Sequence, residues 1–246
     1  PRLNEKPDPI WGRVLARLIL LETLSSSTRE EMGADVETSL AIAQEAGDPH
    51  EIAFCFLVLG YYISKAIRDD AAALTFFEQS LEHYRALDDR FYISRALQRI
   101  GACSASATSL ENFLKFTRQS LELAREIGNI VDAANSLVNF ASGTFALGDY
   151  IAAESYLRES VALSSEIGAR WVAGHSKTVL GLTYFLRGDV ERAGSLAEEG
   201  LQIGTDINFS DTIAYALAIL ALCAGVSEDY RTSKQLSEES LDVPSN

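Results

Sequence analysis

Residues 147–168 read LGDYIAAESYLRESVALSSEIG, and this stretch decides the fold class. Its apolar side chains recur at helical intervals, at Tyr150, Ala153, Leu157 and Val161. These intervals are typical of an α-helix with one buried face. Asp149 precedes the stripe, where an N-cap belongs, and Gly168 follows it, where helix ends favour glycine. The stretch therefore predicts a helix from Tyr150 to about Ile167, after a turn at residues 147–149.

The same landmarks recur along the chain at a nearly constant spacing. A small residue followed by an aliphatic one occurs as Ser39-Leu40, Ser80-Leu81, Ser120-Leu121, Ser160-Val161, Gly200-Leu201 and Ser240-Leu241. The second members are 41, 40, 40, 40 and 40 residues apart. Seven residues after each of the first five stands a type that tolerates left-handed backbone angles, namely Gly47, Asp88, Gly128, Gly168 and Asn208. A period this steady predicts an array of repeated units.

Each period divides into two helices. In the fourth repeat, the first helix is predicted from about Val131 to Ala146 and the second from Tyr150. A second small position recurs as Gly60, Gly101, Ala141, Gly181 and Ala221, which indicates close contact between two helices. Helix-start signals occur at Asp149 and Asp189, and capping-box spacings begin at Asp48, Thr28 and Thr108. No Pro occurs between Pro49 and Pro244, and no strand-like alternation appears, so an all-α fold is predicted.

The predicted organisation is a solenoid of about six antiparallel helix pairs. The repeats are expected at residues 11–48, 49–89, 90–129, 130–169, 170–209 and 210–246, after a linker or N-terminal arm at residues 1–10. A single amphipathic pair cannot bury its apolar face alone, so stacked pairs form a continuous core. The chain does not begin with Met and stops soon after a repeat landmark, which favours a piece of a longer chain.

These landmarks resemble the tetratricopeptide repeat family. Its consensus has Leu-Gly in the first helix, Gly-Asp-Tyr at the turn, and Ala, an aromatic residue and Ala-Leu in the second helix. The matching residues are Gly148-Asp149-Tyr150, Ala153 and Ser160-Val161 in the fourth repeat, Leu180-Gly181, Tyr184, Gly188-Asp189 and Ala193 in the fifth, and Leu59-Gly60, Ala73, Phe77 and Ser80-Leu81 in the second. The resemblance covers about Trp11 to Leu241 and implies a right-handed superhelical solenoid.

The chain departs from that family in two ways. Its period is 40 residues, against about 34 in the family, and the Pro that usually ends the second helix is absent. Both departures indicate longer helices, ended by Gly128 and Gly168 instead. The long period and the Leu-x-x-Glu-Ile-Gly endings at residues 123–128 and 163–168 resemble one subgroup. Its members are the solenoid sensor domains of bacterial signal-transduction ATPases, such as the maltose-responsive transcription activator. This resemblance implies a sensor that contacts an inducer or a partner protein.

In tetratricopeptide repeats, first-helix residues line the concave face. When these family positions are carried over to the same register of this chain, the resemblance implies a polar strip on the concave face. Its members are Arg95, Gln98, Arg99, Asn135, Asn139, His175 and Tyr215. Asn pairs with a peptide N–H and C=O, and Arg grips a carboxylate through two bonds. The strip suits a peptide, a protein segment or a small acidic ligand in the concave groove, and the alternative is solvated residues without a ligand. The nearby apolar residues are expected in the core or packed against the next repeat, and the alternative is an exposed patch for a partner helix; they are Leu182, Phe185, Leu186 and Leu222.

The composition of the chain disfavours several classes of binding partner. A net charge of -14 disfavours nucleic acid and anionic membranes. No uninterrupted apolar run approaches the roughly 18 residues of a membrane helix, and no signal peptide opens the chain. The widely spaced Cys55, Cys103 and Cys223 suit free thiols in a reducing cytoplasm.

Motifs for catalysis or metal binding are missing from the sequence. It contains no phosphate-binding loop, no GxSxG and no HExxH motif. We therefore expect no enzyme, no cofactor and no metal site. Three functions remain open: the sensor or regulatory arm of a larger signalling ATPase or transcription regulator, a stand-alone adaptor for peptide segments, and an oligomerisation module.

Overall fold

The computed structural model describes residues 8–24 and 32–243, and within these ranges the chain is helical with no β-strand. Residues 1–7 of the expected arm, the predicted cap from Thr28 to Glu31, and Pro244 lie outside the described residues. Pro9 and Ile10, which we expected in the arm, belong to the first helix. Asp8 starts that helix because its carboxylate accepts a hydrogen bond from the Ile10 N–H at 2.9 Å. Pro is tolerated at the first helical position since its missing N–H has no partner there.

Twelve α-helices follow one another in the described ranges and alternate as first and second helices of successive pairs. The first helices are α1 (Pro9–Leu24), α3 (Pro49–Tyr62), α5 (Arg90–Ala107), α7 (Ile130–Ala146), α9 (Arg170–Leu186) and α11 (Ser210–Val226). The second helices are α2 (Met32–Ala46), α4 (Asp70–Ala86), α6 (Leu110–Glu126), α8 (Tyr150–Glu166), α10 (Val190–Ile207) and α12 (Tyr230–Asp242). The predicted bounds of α7 and α8 are confirmed to within one residue.

The chain divides within α6 into two compact units, the first ending at Leu123 and the second beginning at Ala124. The first unit contains two groups of buried side chains, around Ile19, Met32 and Val58 and around Phe77, Leu97 and Ile100. The second unit is built around Val138, Leu157, Leu180, Tyr184 and Ile219. Each unit therefore has its own apolar core.

A repeated hydrogen bond explains the small member of the small-aliphatic pair. The Ser160 hydroxyl in α8 donates to the carbonyl oxygen of Ala134 in α7, at 2.8 Å. The same bond recurs as Ser39 to Gly12, Ser80 to Ala53, Ser120 to Ser94, and Ser240 to Ala214. In the fifth pair a Cβ on Gly200 would lie 2.1 Å from the Thr178 hydroxyl, so glycine is required there. In five of the six helix pairs, a Ser hydroxyl thus bonds the second helix to the first, and in the fifth pair Gly200 replaces this Ser.

The predicted turn chemistry is confirmed. All five residues predicted to tolerate left-handed angles have positive φ: Gly47, Asp88, Gly128, Gly168 and Asn208. Asp149 and Asp189 each accept a backbone N–H three residues on, as N-caps do. Asp48 caps α3 by accepting from the N–H groups of His50 and Glu51.

Two details of the predicted caps are wrong. Ser109 caps α6, whereas the hydroxyl of Thr108 donates back to the carbonyl of Ser104 at 3.2 Å. The Glu51 side chain does not close a capping box but forms a two-bond pair with Arg17, at 2.7 and 2.8 Å. An Arg one pair upstream offers the buried carboxylate two charge-assisted hydrogen bonds, which are stronger than one bond to a neutral N–H.

The single 41-residue step has a structural cause. Asp69 caps α4 nine residues after Gly60, whereas Asp149 caps α8 eight residues after Ala141. The extra residue falls where α3 continues into the π-helical segment Ile63–Ile67. A π-helix bonds five residues apart instead of four, so it absorbs one additional residue without breaking the helix.

The stretch Pro49–Ile67 is long and apolar enough, by length and composition, to cross a membrane. Core helices of soluble folds pass the same test, and half of this stretch is buried inside the first unit. Its apolar character is accounted for by burial on more than one side, as α3 packs against α2 and α4.

Candidate functional site

The seven residues of the predicted polar strip all lie on first helices. Arg95, Gln98 and Arg99 lie on α5 in the first unit, while Asn135, Asn139, His175 and Tyr215 lie on α7, α9 and α11 in the second. Six of them are half-buried and Tyr215 is exposed. Their placement follows from the repeat register, since residues three and four apart share one helix face.

In the first unit, two arginines lie over aromatic rings. The Arg95 guanidinium lies 5.5 Å from the centroid of the Phe91 ring, and that of Arg99 lies 5.1 Å from the Tyr61 ring. The Nε atom of Arg99 is buried and has no hydrogen-bond partner within the described residues. The rings fix the planes of these side chains through cation–π attraction.

A single carboxylate, that of Asp70, lies near Arg99 and is surrounded by two hydroxyls and a thiol. Asp70 accepts hydrogen bonds from Ser64 at 2.7 Å and from Ser106 at 2.5 Å, and the Cys103 thiol lies 3.6 Å away. Partial burial raises the pKa of Asp70, but these bonds and the positive charge of Arg99 outweigh it and hold the pKa below its usual value. Part of the charge of Arg99 is therefore balanced inside the protein, so this end of the strip is less basic than its sequence indicates.

In the second unit, amide and aromatic groups share the open face of the first helices. Asn135 and Asn139 are one turn apart on α7, and the Nδ2 atom of Asn139 is buried without a partner among the described residues. The rings of His175 and Tyr215 meet at a centroid distance of 6.2 Å. The structure thus brings together His175 and Tyr215, which are 40 residues apart in sequence.

A cavity of about 400 Å³ opens between α7, α9 and α11. Its polar lining consists of Ser142, His175, Thr178 and Tyr215, and its apolar lining of Phe145, Tyr150, Val179, Leu182, Leu186 and Ile219. This volume lies within the range of small-ligand pockets. Phe145 and Tyr150, which sequence analysis missed, stand beside the α7–α8 turn. The turn motif Gly148-Asp149-Tyr150 was the available signal.

The apolar flank is less buried than the sequence predicts. Leu186 and Leu222 are 47% and 46% exposed, so a core position is wrong for these two, while a partner patch and packing on a further repeat stay open. Leu182 lines the cavity and Phe185 is half-buried. A second, wider groove of about 600 Å³ includes Leu222 and lies along α11 and α12. Leu186 is the last residue of α9, and Leu222 lies one turn before the end of α11.

The main charged cluster of the second unit surrounds Glu154. Its carboxylate accepts hydrogen bonds from the Tyr184 hydroxyl at 2.9 Å, from Arg158 at 2.8 Å and from Arg187. Burial raises the pKa of Glu154, but these bonds outweigh it and leave the pKa below its usual value. The cluster connects α8 to α9 and is a structural ion-pair network.

The thiols and the potential metal ligands form no reactive centre in the described part of the chain. Burial raises the pKa of Cys55 to about 12 and that of Cys103 to about 11. Within residues 8–24 and 32–243, no three side chains of His, Cys, Asp or Glu cluster at metal-binding distance.

The sequence matches no protein-family model and no curated protein. Solved structures do match. The apo form of RapI aligns with a TM-score of 0.76 at 12% identity, over 98% of this chain and 85% of RapI. NprR in complex with its cognate peptide NprX aligns with a TM-score of 0.68 at 14% identity, over 93% of this chain and 67% of NprR.

A third match is a signal transduction ATPase with numerous domains and a tetratricopeptide repeat sensor, from Pyrococcus horikoshii. It aligns with a TM-score of 0.67 at 15% identity, over 96% of this chain but only 37% of the ATPase. Identities this low establish the fold and leave the activity open. The chain has the all-α, helix-pair fold of tetratricopeptide-type repeat proteins.

Proposed function

We propose that this chain is a non-catalytic module that binds a peptide or protein segment along the open face of its first helices. The observation that carries the proposal is the set of amide and aromatic side chains on the first helices of the second unit, where His175 and Tyr215 line an open cavity. An asparagine amide matches the N–H and C=O of a peptide bond. Asn135 and Asn139 offer two such amides one turn apart on α7, and both side chains are half-buried.

The proposed biological role is that of a sensor or regulatory arm in a larger bacterial signalling ATPase or transcription regulator, in the cytoplasm. The structure of NprR contains a cognate peptide, and the Pyrococcus ATPase carries a tetratricopeptide repeat sensor. In such an arm, ligand binding shifts attached domains between states if the ligand has different affinities for them. This role requires no catalytic residue, cofactor, nucleic acid or membrane.

Selection from a displayed library of random peptides tests the proposal. Recovered peptides should bind the wild-type chain, and Asn135→Ala combined with Asn139→Ala, both in the second unit, should abolish binding without loss of helicity by circular dichroism. Gln202→Ala on α10 is the matched control, because it also removes an amide and Gln202 is exposed on a second helix. Undiminished affinity in the double variant, or no peptide recovered from the library, would refute a binding face on the first helices.

One observation favours a second candidate, an oligomerisation module. Ile10, Val14 and Leu18 form an apolar stripe on α1 and are 66%, 43% and 46% exposed. The same register positions on α3 are Glu51, Cys55 and Leu59, and all are buried. On α3 this stripe faces the preceding pair, so on α1 the chain leaves an apolar helix face open to a partner.

Sedimentation velocity over a range of protein concentrations tests this candidate. The wild-type chain should show an average mass that rises with concentration, and Val14→Glu should abolish the rise. Ile151→Glu is a suitable control, because Ile151 is an exposed apolar residue on a second helix. A concentration-independent monomer mass for the wild type would exclude the candidate.

A further inference from the structure

The cavity in the second unit differs chemically from the polar face beside it. None of the described residues that line it carries a carboxylate, an ammonium or a guanidinium group. Ile219 at its base is buried, while the aliphatic side chains of Val179, Leu182 and Leu186 remain partly open to solvent. In a chain with a net charge of -14, this is a neutral, largely apolar concavity.

We propose that this cavity holds one large uncharged side chain of the bound peptide, a leucine, isoleucine, methionine or phenylalanine. The proposal rests on the binding function proposed above and names the ligand class of the same face. The polar rim, formed by His175 and Tyr215, then contacts the peptide backbone on either side of the anchoring residue. Specificity would come from shape and apolar contact and not from a charge pair.

The repeat register supports an apolar anchor. The position of Asn139 on α7 is occupied by Val179 on α9 and by Ile219 on α11. The position of Ser142 on α7 is occupied by Leu182 on α9. At these two register positions the open face therefore changes from hydrogen-bonding to apolar within a single repeat step, while the register of Asn135 stays polar as His175 and Tyr215. A ligand that follows this face must change its chemistry over the same distance, roughly the 8–10 Å between packed helices.

Energetics disfavour a charged side chain in the cavity. A carboxylate or ammonium group moved from water to this lining would lose hydration and would meet no carboxylate, ammonium or guanidinium group there. Burying a leucine-sized side chain is favourable by about 1.5–3 kcal/mol. The cost of burying a charged group and the gain from burying an apolar one act in the same direction. Together they favour a neutral anchor by more than either does alone.

The neighbouring residues favour a peptide over a free apolar small molecule. Asn135 and Asn139 lie one turn apart on α7, and Asn139 precedes the cavity-lining Ser142 by three residues, which places the two on one helix face. Amides are matched to backbone N–H and C=O groups that flank an anchor in a peptide. A small apolar molecule would leave these groups without a ligand partner.

The first test fills the cavity. Peptides recovered from the displayed library should share one position restricted to Leu, Ile, Met or Phe. Leu182→Trp should weaken their binding by roughly 10- to 100-fold, the equivalent of losing one buried apolar side chain. Leu222→Trp is the matched control, because Leu222 occupies the same register on α11 but lines a different groove. Equal effects of the two variants, or Asp, Glu or Lys at the restricted position, would overturn the proposal.

A second measurement separates this inference from the binding function as a whole. N-acetyl-phenylalaninamide should produce saturable methyl chemical-shift changes at Val179 and Ile219. N-acetyl-aspartic acid α-amide, whose side-chain carboxylate is anionic, should not. If library peptides bind while both probes leave these methyl groups unchanged, the peptide-binding function stands and the apolar anchor is wrong. If benzene, which has no amide, binds as tightly as the neutral amide probe, the cavity is a small-molecule site. If no library peptide binds, the binding function fails and with it the anchor.

Discussion

Replacing Gly181 by leucine should destabilise the second unit, because Gly181 lies where α9 touches α10. A Cβ atom at this position would lie 3.1 Å from the carbonyl oxygen of Ala193 and 3.5 Å from the backbone nitrogen of Ala197. Both atoms belong to the backbone of α10. Unlike the end of a flexible side chain, they cannot move aside without shifting the helix.

Two opposing effects set the magnitude. Removing glycine from a helix interior is favourable by about 0.8–1 kcal/mol, because the unfolded chain loses conformational freedom. Forcing extra carbon atoms into a packed contact costs about 1–3 kcal/mol, and occasionally more. Alanine at position 181 should therefore be close to neutral. Leucine adds three further carbon atoms, for which the contact between α9 and α10 has no room. We therefore expect a net loss of about 1–3 kcal/mol in the free energy of unfolding.

Urea unfolding followed by circular dichroism measures this loss. For a chain of this length, 1 kcal/mol corresponds to a change in Tm of roughly 2–4 °C. Gly194 provides the control on the same helix pair, since a Cβ atom there has nothing within 4 Å. Gly194→Ala should stabilise the chain by about 0.5–1 kcal/mol, because it gains helix propensity without a clash.

The comparison of the two glycines decides the argument. If Gly181→Leu unfolds at the same urea concentration as the wild type, α9 and α10 do not touch at this residue and the assigned repeat register is wrong. If Gly194→Ala is destabilised as much as Gly181→Leu, the loss has a cause other than the helix contact.

Three further predictions concern a buried serine, two buried thiols and the ion-pair cluster around Glu154. Ser160→Ala should lower the free energy of unfolding by about 1–3 kcal/mol in urea titrations, because it removes two interhelical hydrogen bonds, one to the Ala134 carbonyl and one with the Ser176 hydroxyl. Cys55 and Cys103 should resist a thiol reagent at pH 8 and react fully in denaturant, since burial raises both pKa values. Glu154 has a folded pKa below its ordinary value of 4.5. Its contribution to stability should be present above that pH and vanish as the pH falls through the folded pKa, a loss that Glu154→Gln should not show.

The helices and their ends could be predicted because they depend on local rules repeated many times. Gly128 and Gly168 stand at positive φ angles, which side chains other than glycine adopt with strain, so the sequence repeats them. Asp149 and Asp189 satisfy N–H groups that every helix start leaves unpaired. Such requirements are the same in each repeat, and a period makes them visible.

The π-helical segment could not be predicted, although its trace was present. The step from Leu40 to Leu81 is 41 residues and the later steps are 40. One extra residue fits a longer turn, an irregular loop or a π-helix equally well. The choice depends on the packing of Ile63–Ile67 against α4, together with the hydrogen bond from Ser64 to Asp70. These tertiary contacts have no local signature.

The open face of the first helices obeys a different constraint from the packed face. A Ser recurs at the register of Ser160 because its hydroxyl donates a hydrogen bond to a carbonyl of the first helix, and this bond holds the pair together. The register of Asn139 holds Arg99 one repeat earlier and Val179 one repeat later, so no packing rule fixes its chemistry. Periodicity therefore shows which positions lie on the open face of the first helices, but it carries no information on what they bind. It follows that substitutions at Asn139 should change binding with little effect on Tm, and substitutions at Ser160 should do the opposite.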